Sequence, residues 1–463
     1  MGEKRTLQAL VLCSLLVIQI TAIGATLSST PSSQYPQQKI DNFVITKTTA
    51  YQYTITKASE SPTLPTPAID TSIDTTLLLD QRTPVPTAQP FTVRYVGGSG
   101  PGNYSKIQDA VNDSTDGDII YVYHGAYKEN PQINTSITLL GENPQTTIID
   151  GERLGSILHL YANFTSIQGF TFENTSTSIF DDIGIITVNP LHPLRGIQIS
   201  NCIFQRSGRG VYFFNVSDSS ITNCQLQHLT GTSISILGKS NNISICHSLI
   251  KYCGTGKGTL AFSGGIFCFG FAYQCTNVTI NDNDIARIQA DGVLLQNSSK
   301  ITVLNNSITH CTWWGVCING QNVSVQHNTI SQCQMNGIMT GASSVDISYN
   351  NITTCGDENV FDGGILLQDS NKNAVISHNI IGQNKNHGLY LIRSPGTIIS
   401  YNNFVNNTPN EFMYDTLWSH WTHNYWSDWH GFGPKLIKGW LSKQKIMWYN
   451  FDWHPAKEPY TIA

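Results

Sequence analysis

Charge is what this chain has least of. Asp, Glu, Lys and Arg make up 12% of its 463 residues, against about a quarter in an average soluble protein. A net charge of −5 without any basic run lacks the footprint that phosphate backbones select, which excludes nucleic acid as a partner. Amphipathic runs of helical length are also missing. The apolar stretches are short, β-branched and broken by Gly and Asn, which points to strands. There is no CxxC pair, so zinc is not suggested, and the five Met residues do not cluster as a soft copper(I) site needs. Beyond the N-terminus no segment could cross a bilayer. In place of charge stand Asn, Ser, Thr and Gly, which supply hydrogen bonds.

The N-terminus departs from this pattern. Lys4 and Arg5 precede an apolar run over 9–18 and the small residues Ala22, Gly24 and Ala25, the layout of a secretory signal. Residues 7–25 are also almost long enough for an uncleaved anchor, with Gln8 and Gln19 against it. Either way 1–25 directs export to the outside or the cell surface, and a membrane is expected as a partner only through such an anchor. Residues 26–90 turn to Ser, Thr, Pro and Gln, as in SESPTLPTPAIDTSIDTT, and read as a disordered linker. A single domain is expected over 91–463, with an N-terminal cap at 91–130, coils at 131–410 and a C-terminal cap at 411–463.

The coils announce themselves by repetition. On the frame Ile-x-x-Asn-x-Ile, one column holds Phe170, Cys202, Cys224, Ser248, Asn283, Asn306, Asn328, Asn350, Asn379 and Asn402. Its base spacing is 22 residues, with insertions, a period that marks the turns of a solenoid. One such unit has nothing to bury its apolar face against, whereas stacked units build a continuous core. Neighbouring strands lie about 4.8 Å apart, so a like residue at each turn can bond its copies above and below. Asn suits that place because it tolerates a left-handed turn and carries both donor and acceptor. Asn283, Asn306, Asn328, Asn350, Asn379 and Asn402 therefore read as a structural ladder.

These repeats resemble the right-handed parallel β-helix repeats of the pectin-lyase-like superfamily, most closely archaeal secreted proteins similar to the nitrous-oxide-reductase accessory family (NosD). Residues 104–151 look like that group's N-terminal cap, and NYWSDWHGFGPKLIKGW with WYNFDWHPAKEPYTIA looks like its C-terminal cap. The resemblance implies an all-β, single-stranded right-handed parallel β-helix of about ten or more coils. It is nearly mute on activity, since such folds host lyases, hydrolases, esterases and non-enzymes; a role as accessory factor for a metalloenzyme rests on it alone. Independently of the family, Ser105 to Gln108 reads as a capping box opening a short helix with Ile107, Ala110 and Val111 on one face. Trp418, Trp421, Trp426, Trp429, Trp440, Trp448 and Trp453 are expected to cover the other end.

Five positions after the Asn column stand Cys311, Cys333 and Cys355, one strand spacing apart, and Cys202 and Cys224 adjoin in the Asn column itself. Small residues filling a core column and disulfides between neighbours are both open readings. The sequons from Asn103 to Asn406 arise partly because turn Asn residues precede strands, and an exported chain would be glycosylated at a few. His327 and His378 share the column before the ladder with Tyr349 between them, about 10 Å apart, too far for one metal ion. His420, His423 and His430 sit among aromatics and read as part of the cap. No metal is expected.

Insertions at 175–184, 253–265 and 355–364 should emerge on one edge, where loops carry function. Between the last two lie Asp291, Trp313, Trp314, Met335 and Asn336, with Lys257, Asp357, Glu358 and Asp362 as walls. An aromatic floor with polar walls suits a glycan or cell-wall polymer; equally, Trp313 or Trp314 could merely pack beneath a loop. Hydrolysis needs two carboxylates about 5–9.5 Å apart, whereas Asp291 and Asp362 are three coils, about 14 Å, apart. Asp357, Glu358 and Asp362 could pair or hold calcium, as superfamily lyases would, but no Arg or Lys base is evident. The sequence thus points to an exported, structural or adhesive cell-surface protein that binds glycan at one edge. A polysaccharide lyase or hydrolase at the same trough is the alternative.

Overall fold

The structure, a computed structural model, describes residues 37–40, 43–49, 52–57 and 91–462 apart from 177–181, 188–192, 255–263, 271–273, 358–360 and 370–373. Within 91–462 each coil supplies up to three short strands. Two join a continuous sheet of 27 strands and the third joins a sheet of 13. One coil runs Gly363–Gln368, Val375–Ser377 and Ile380–Gly382. The next repeats it as His387–Ile392, Ile398–Ser400 and Asn403–Val405, and all three pairings are parallel. The molecule is a parallel β-helix, as the 22-residue period predicts.

The corner before the third strand is made by left-handed residues. Asn305, His327, Tyr349, His378 and Tyr401 have φ between 54° and 59°, and the Asn that follows each lies inside, at most 1% exposed. Strand register places Asn283, Asn306, Asn328, Asn350, Asn379 and Asn402 on successive coils. Each donates its backbone N–H and its Nδ2 to the Oδ1 of the next, as Asn306 does to Asn328 at 2.9 and 3.0 Å. The same Nδ2 also reaches main-chain carbonyls, Ile280 O and Leu304 O in the case of Asn306. Leu304 O also accepts the Asp282 N–H at 3.1 Å, so the Asn side chain gives the corner backbone a further donor where burial demands that polar groups be bonded. Ser248 continues the ladder at one end, and Asn424 and then Asp452 at the other.

Inside, like stacks on like. Ile285, Ile308, Ile330, Ile352 and Ile381 are fully buried in one register column, part of a single core running from Val96 to Ile437. Truncating any of them to Ala costs about 2–5 kcal/mol. Cys311, Cys333 and Cys355 are buried free thiols, as are Cys202 and Cys224. The bond to Cys333 and burial hold the Cys355 thiol well above its usual pKa. The thiol column fills core space without disulfides.

Three details correct the sequence reading. The helix Ile107–Asn112 buries Ile107, Ala110 and Val111, but its N-cap is Lys106 without a side-chain bond. Glu129, from the adjoining coil, accepts the N–H groups of Ile107 and Gln108 at 2.8 and 3.0 Å, a carboxylate replacing the expected capping box. At the other end Trp421 and Trp426 are buried, and Trp429 and Trp448 pack on the core, but Trp418 and Trp453 are exposed. Finally, the linker 26–90 contains an antiparallel meander, Gln37–Ile40, Phe43–Thr49 and Gln52–Lys57, with Ile45 opposite Ile55. Alternations this brief are hidden in a segment dominated by Ser, Thr and Pro.

Candidate functional site

The trough expected around Trp314 is closed to its own polar groups. Asp291 is 1% exposed; its Oδ1 accepts the Trp314 N–H at 3.2 Å and its Oδ2 has no partner. Burial pushes its pKa up to about 7. One coil on, the Trp314 indole donates to Asn336 Oδ1 at 3.3 Å, and Asn336 Nδ2 donates to the Phe361 carbonyl at 3.0 Å. Asn336 and Asp362 are buried too. These groups bind the coils to one another, and none can face a sugar. Asp357 lends its carbonyl to Asn386, while Glu358 and Lys257 lie outside the described residues. Among the described residues Trp313 and Phe361 are the large apolar side chains exposed at this edge, and Phe361 lies flat against Tyr390 at 5.9 Å. The sequence misplaced the polar groups because a Gly-rich corner breaks strand alternation, so parity no longer tells which side chains turn inward.

A groove of about 720 Å³ opens instead on the outer face of the second strand of several coils. Thr302, Ser324 and Asp346 stand in one register column on its floor, beside Gln326, Ser348 and Ser377. The column continues towards the N-terminus as Thr279, Ser244 and Ser220, an outward row of hydroxyls at strand spacing. Gln326 Nε2 reaches Asp346 Oδ2 at 2.6 Å and Ser348 Oγ at 3.1 Å. One wall carries Asn277, Lys300, Asn322 and Ser344, each at positive φ. The other carries Tyr349 and His378.

Those two rings belong to a longer stack. His327, Tyr349, His378, Tyr401, His423 and His454 lie face to face with centroids 4.9, 4.9, 5.2, 5.1 and 5.4 Å apart. The corner that imposes left-handed φ puts one ring per coil at the same place, and offset stacking offsets part of the strain that a non-Gly residue bears there. Ring faces are covered by their neighbours, so Tyr349 and His378 meet the groove with their edges. Among the described residues no three His, Cys, Asp or Glu converge as a metal site. The sequence did display this column at His327, Tyr349 and His378. The outward hydroxyls could have been found by reading the alternate positions of the runs around Thr302 and Ser324.

Residues 264–420 match the family described as right handed beta helix region. The fold thus defines a right-handed parallel β-helix. Solved structures of similar fold include three carbohydrate-related proteins. The A-module of the mannuronan C-5 epimerase AlgE6 from Azotobacter vinelandii is 14% identical, with 68% of this chain and 89% of that one covered and a TM-score of 0.43. A mannuronic acid specific polysaccharide family 6 lyase from human gut microbiota is 13% identical, with 69% and 84% covered and a TM-score of 0.47. The GH136 lacto-N-biosidase from Eubacterium ramulus is 14% identical, with 71% and 65% covered and a TM-score of 0.43. No curated protein matches. At such identities the likeness concerns the fold.

Proposed function

We propose that the chain is an exported cell-surface protein with a structural or adhesive role, which binds a glycan along the groove over Thr302, Ser324 and Asp346. The observation that carries this reading is the outward hydroxyl column, one polar group per coil at the spacing of the strands. A repeating row of donors and acceptors suits a polymer that itself repeats hydroxyls, and the volume suits a short stretch of sugar units. Charge is sparse there, with Lys300 and Asp346 as the charged groups of the lining, which favours a neutral ligand. Cleavage by hydrolysis would need a second carboxylate within about 5–9.5 Å of Asp346; among the described lining residues Asp346 is the one carboxylate, so binding is favoured over catalysis.

The test is a glycan array read with purified protein and variants. Thr302→Ala with Ser324→Ala and Gln326→Ala is expected to lower affinity at least tenfold, about 0.5–1.5 kcal/mol per lost hydrogen bond, with thermal unfolding little changed. Trp313→Ala, at the edge indicated by sequence alone, is expected to leave binding intact. The reverse outcome would move the site to that edge.

A further inference from the structure

The C-terminal end carries an apolar surface that the groove does not use. Strands Lys435–Leu441 and Ile446–Asp452 form an antiparallel hairpin that stacks on the coil below through Met413 and Tyr414. Alternation divides its side chains. Ile437 and Trp448 pack inward on the core. On the opposite face the cross-strand pairs are Leu436 with Phe451, Lys438 with Tyr449 and Trp440 with Met447. Beyond the hairpin, Trp453 lies against Phe451 at 5.2 Å and is 64% exposed; Phe432, in the loop before it, is 97% exposed. Buried apolar residues are the rule for a soluble fold, so exposed ones concentrated in one place mark an interaction surface.

We infer that this face docks on an anionic lipid membrane. Two observations select that occupant. The first is charge: residues 429–451 contain Lys435, Lys438, Lys443 and Lys445 and no Asp or Glu, in a chain of net charge −5. Lys435 is engaged by Asp428 at 2.7 Å, whereas Lys438, Lys443 and Lys445 are exposed. Aromatic rings and Lys together are the residues that settle at a lipid headgroup boundary, the ring bodies in the apolar layer and the ammonium groups reaching the phosphates. The second is the aliphatic part. Leu436 and Met447 on that face offer nothing to sugar hydroxyls. A two-fold contact with a second copy would set one Lys-bearing face against another, which repels. The lipid surface meets both the apolar and the cationic groups.

All nine Trp residues lie at or after Trp313, so Trp emission is blind to the N-terminal apolar segment. The full chain is mixed with vesicles of brominated phosphatidylglycerol or brominated phosphatidylcholine, and quenching of Trp emission is measured. Quenching is expected with phosphatidylglycerol and little with phosphatidylcholine. Lys438→Glu, Lys443→Glu and Lys445→Glu together should weaken partitioning by roughly two orders of magnitude. Phe432→Ser with Met447→Ser keeps every Trp and should remove the quenching. Melting curves show that each variant is folded, and the salt dependence of the unmodified chain gives the same reading without any substitution. Salt-independent or lipid-independent quenching, or variants that bind as well as the parent, overturn the proposal. So does a dimer in sedimentation velocity that the same substitutions dissociate.

Discussion

Asp291 keeps a carboxylate oxygen that no donor reaches, and its protonation follows from that. Its pKa of about 7 exceeds the ordinary 3.8, so between these values the folded chain holds a proton that the unfolded chain has released. Stability contributed in this way is complete below about pH 4 and is lost as pH rises towards 7, on the order of 4 kcal/mol in all. Asp291→Asn keeps an acceptor for the Trp314 N–H and removes the titration. Its melting temperature should exceed the parent's at pH 8 and lose that lead at pH 4, as calorimetry at the two pH values would show. Asn336 belongs to the same network. Asn336→Ala strips the acceptor from the Trp314 indole and the donor from the Phe361 carbonyl, so urea unfolding should show a loss of about 1–3 kcal/mol.

Among elements, the Asn ladder and its end are the most demanding. Every rung donates towards the C-terminus, so the last acceptor must have no hydrogens of its own. Asp452 Oδ2 meets that requirement, taking the N–H and Nδ2 of Asn424 at 3.0 Å each and the Trp426 indole at 3.1 Å, while Oδ1 takes the His454 N–H. Asp452→Asn would point an amide at donors already in place and should cost about 2–3 kcal/mol, read as an early loss of hydrogen-exchange protection confined to the C-terminal cap. Glu411, in the same cap, has its pKa pushed up to about 8 by burial, which outweighs Lys435 at 3.8 Å. The sign matches Asp291: the contribution is present in acid and lost as pH rises to about 8. Glu411→Gln should therefore raise the melting temperature at pH 9 and leave it near the parent's at pH 4.

For the whole molecule, what could be read in advance was what repetition constrains. The inner columns from Phe170 to Asn402 recur because a buried rung admits few residues, and their spacing maps onto strand register without a slip. The outer columns face water, where many residues serve. Thr302, Ser324 and Asp346 therefore share a position without sharing an identity, and their row emerges only once the coils are stacked. Trp418 and Trp453 read from the sequence as end cover because aromatic content says nothing about which ring faces the core. All the sites rest on one geometry. That geometry can be probed by cross-linking. In Thr302→Cys with Ser324→Cys, residues 22 positions apart occupy adjacent strands in register, within the span a disulfide bridges. Oxidation and peptide mass mapping should find that cross-link in high yield and none in Thr302→Cys with Asp346→Cys, two coils apart at about 10 Å. Cross-linking in the second variant and not in the first would contradict the stacking on which every site depends.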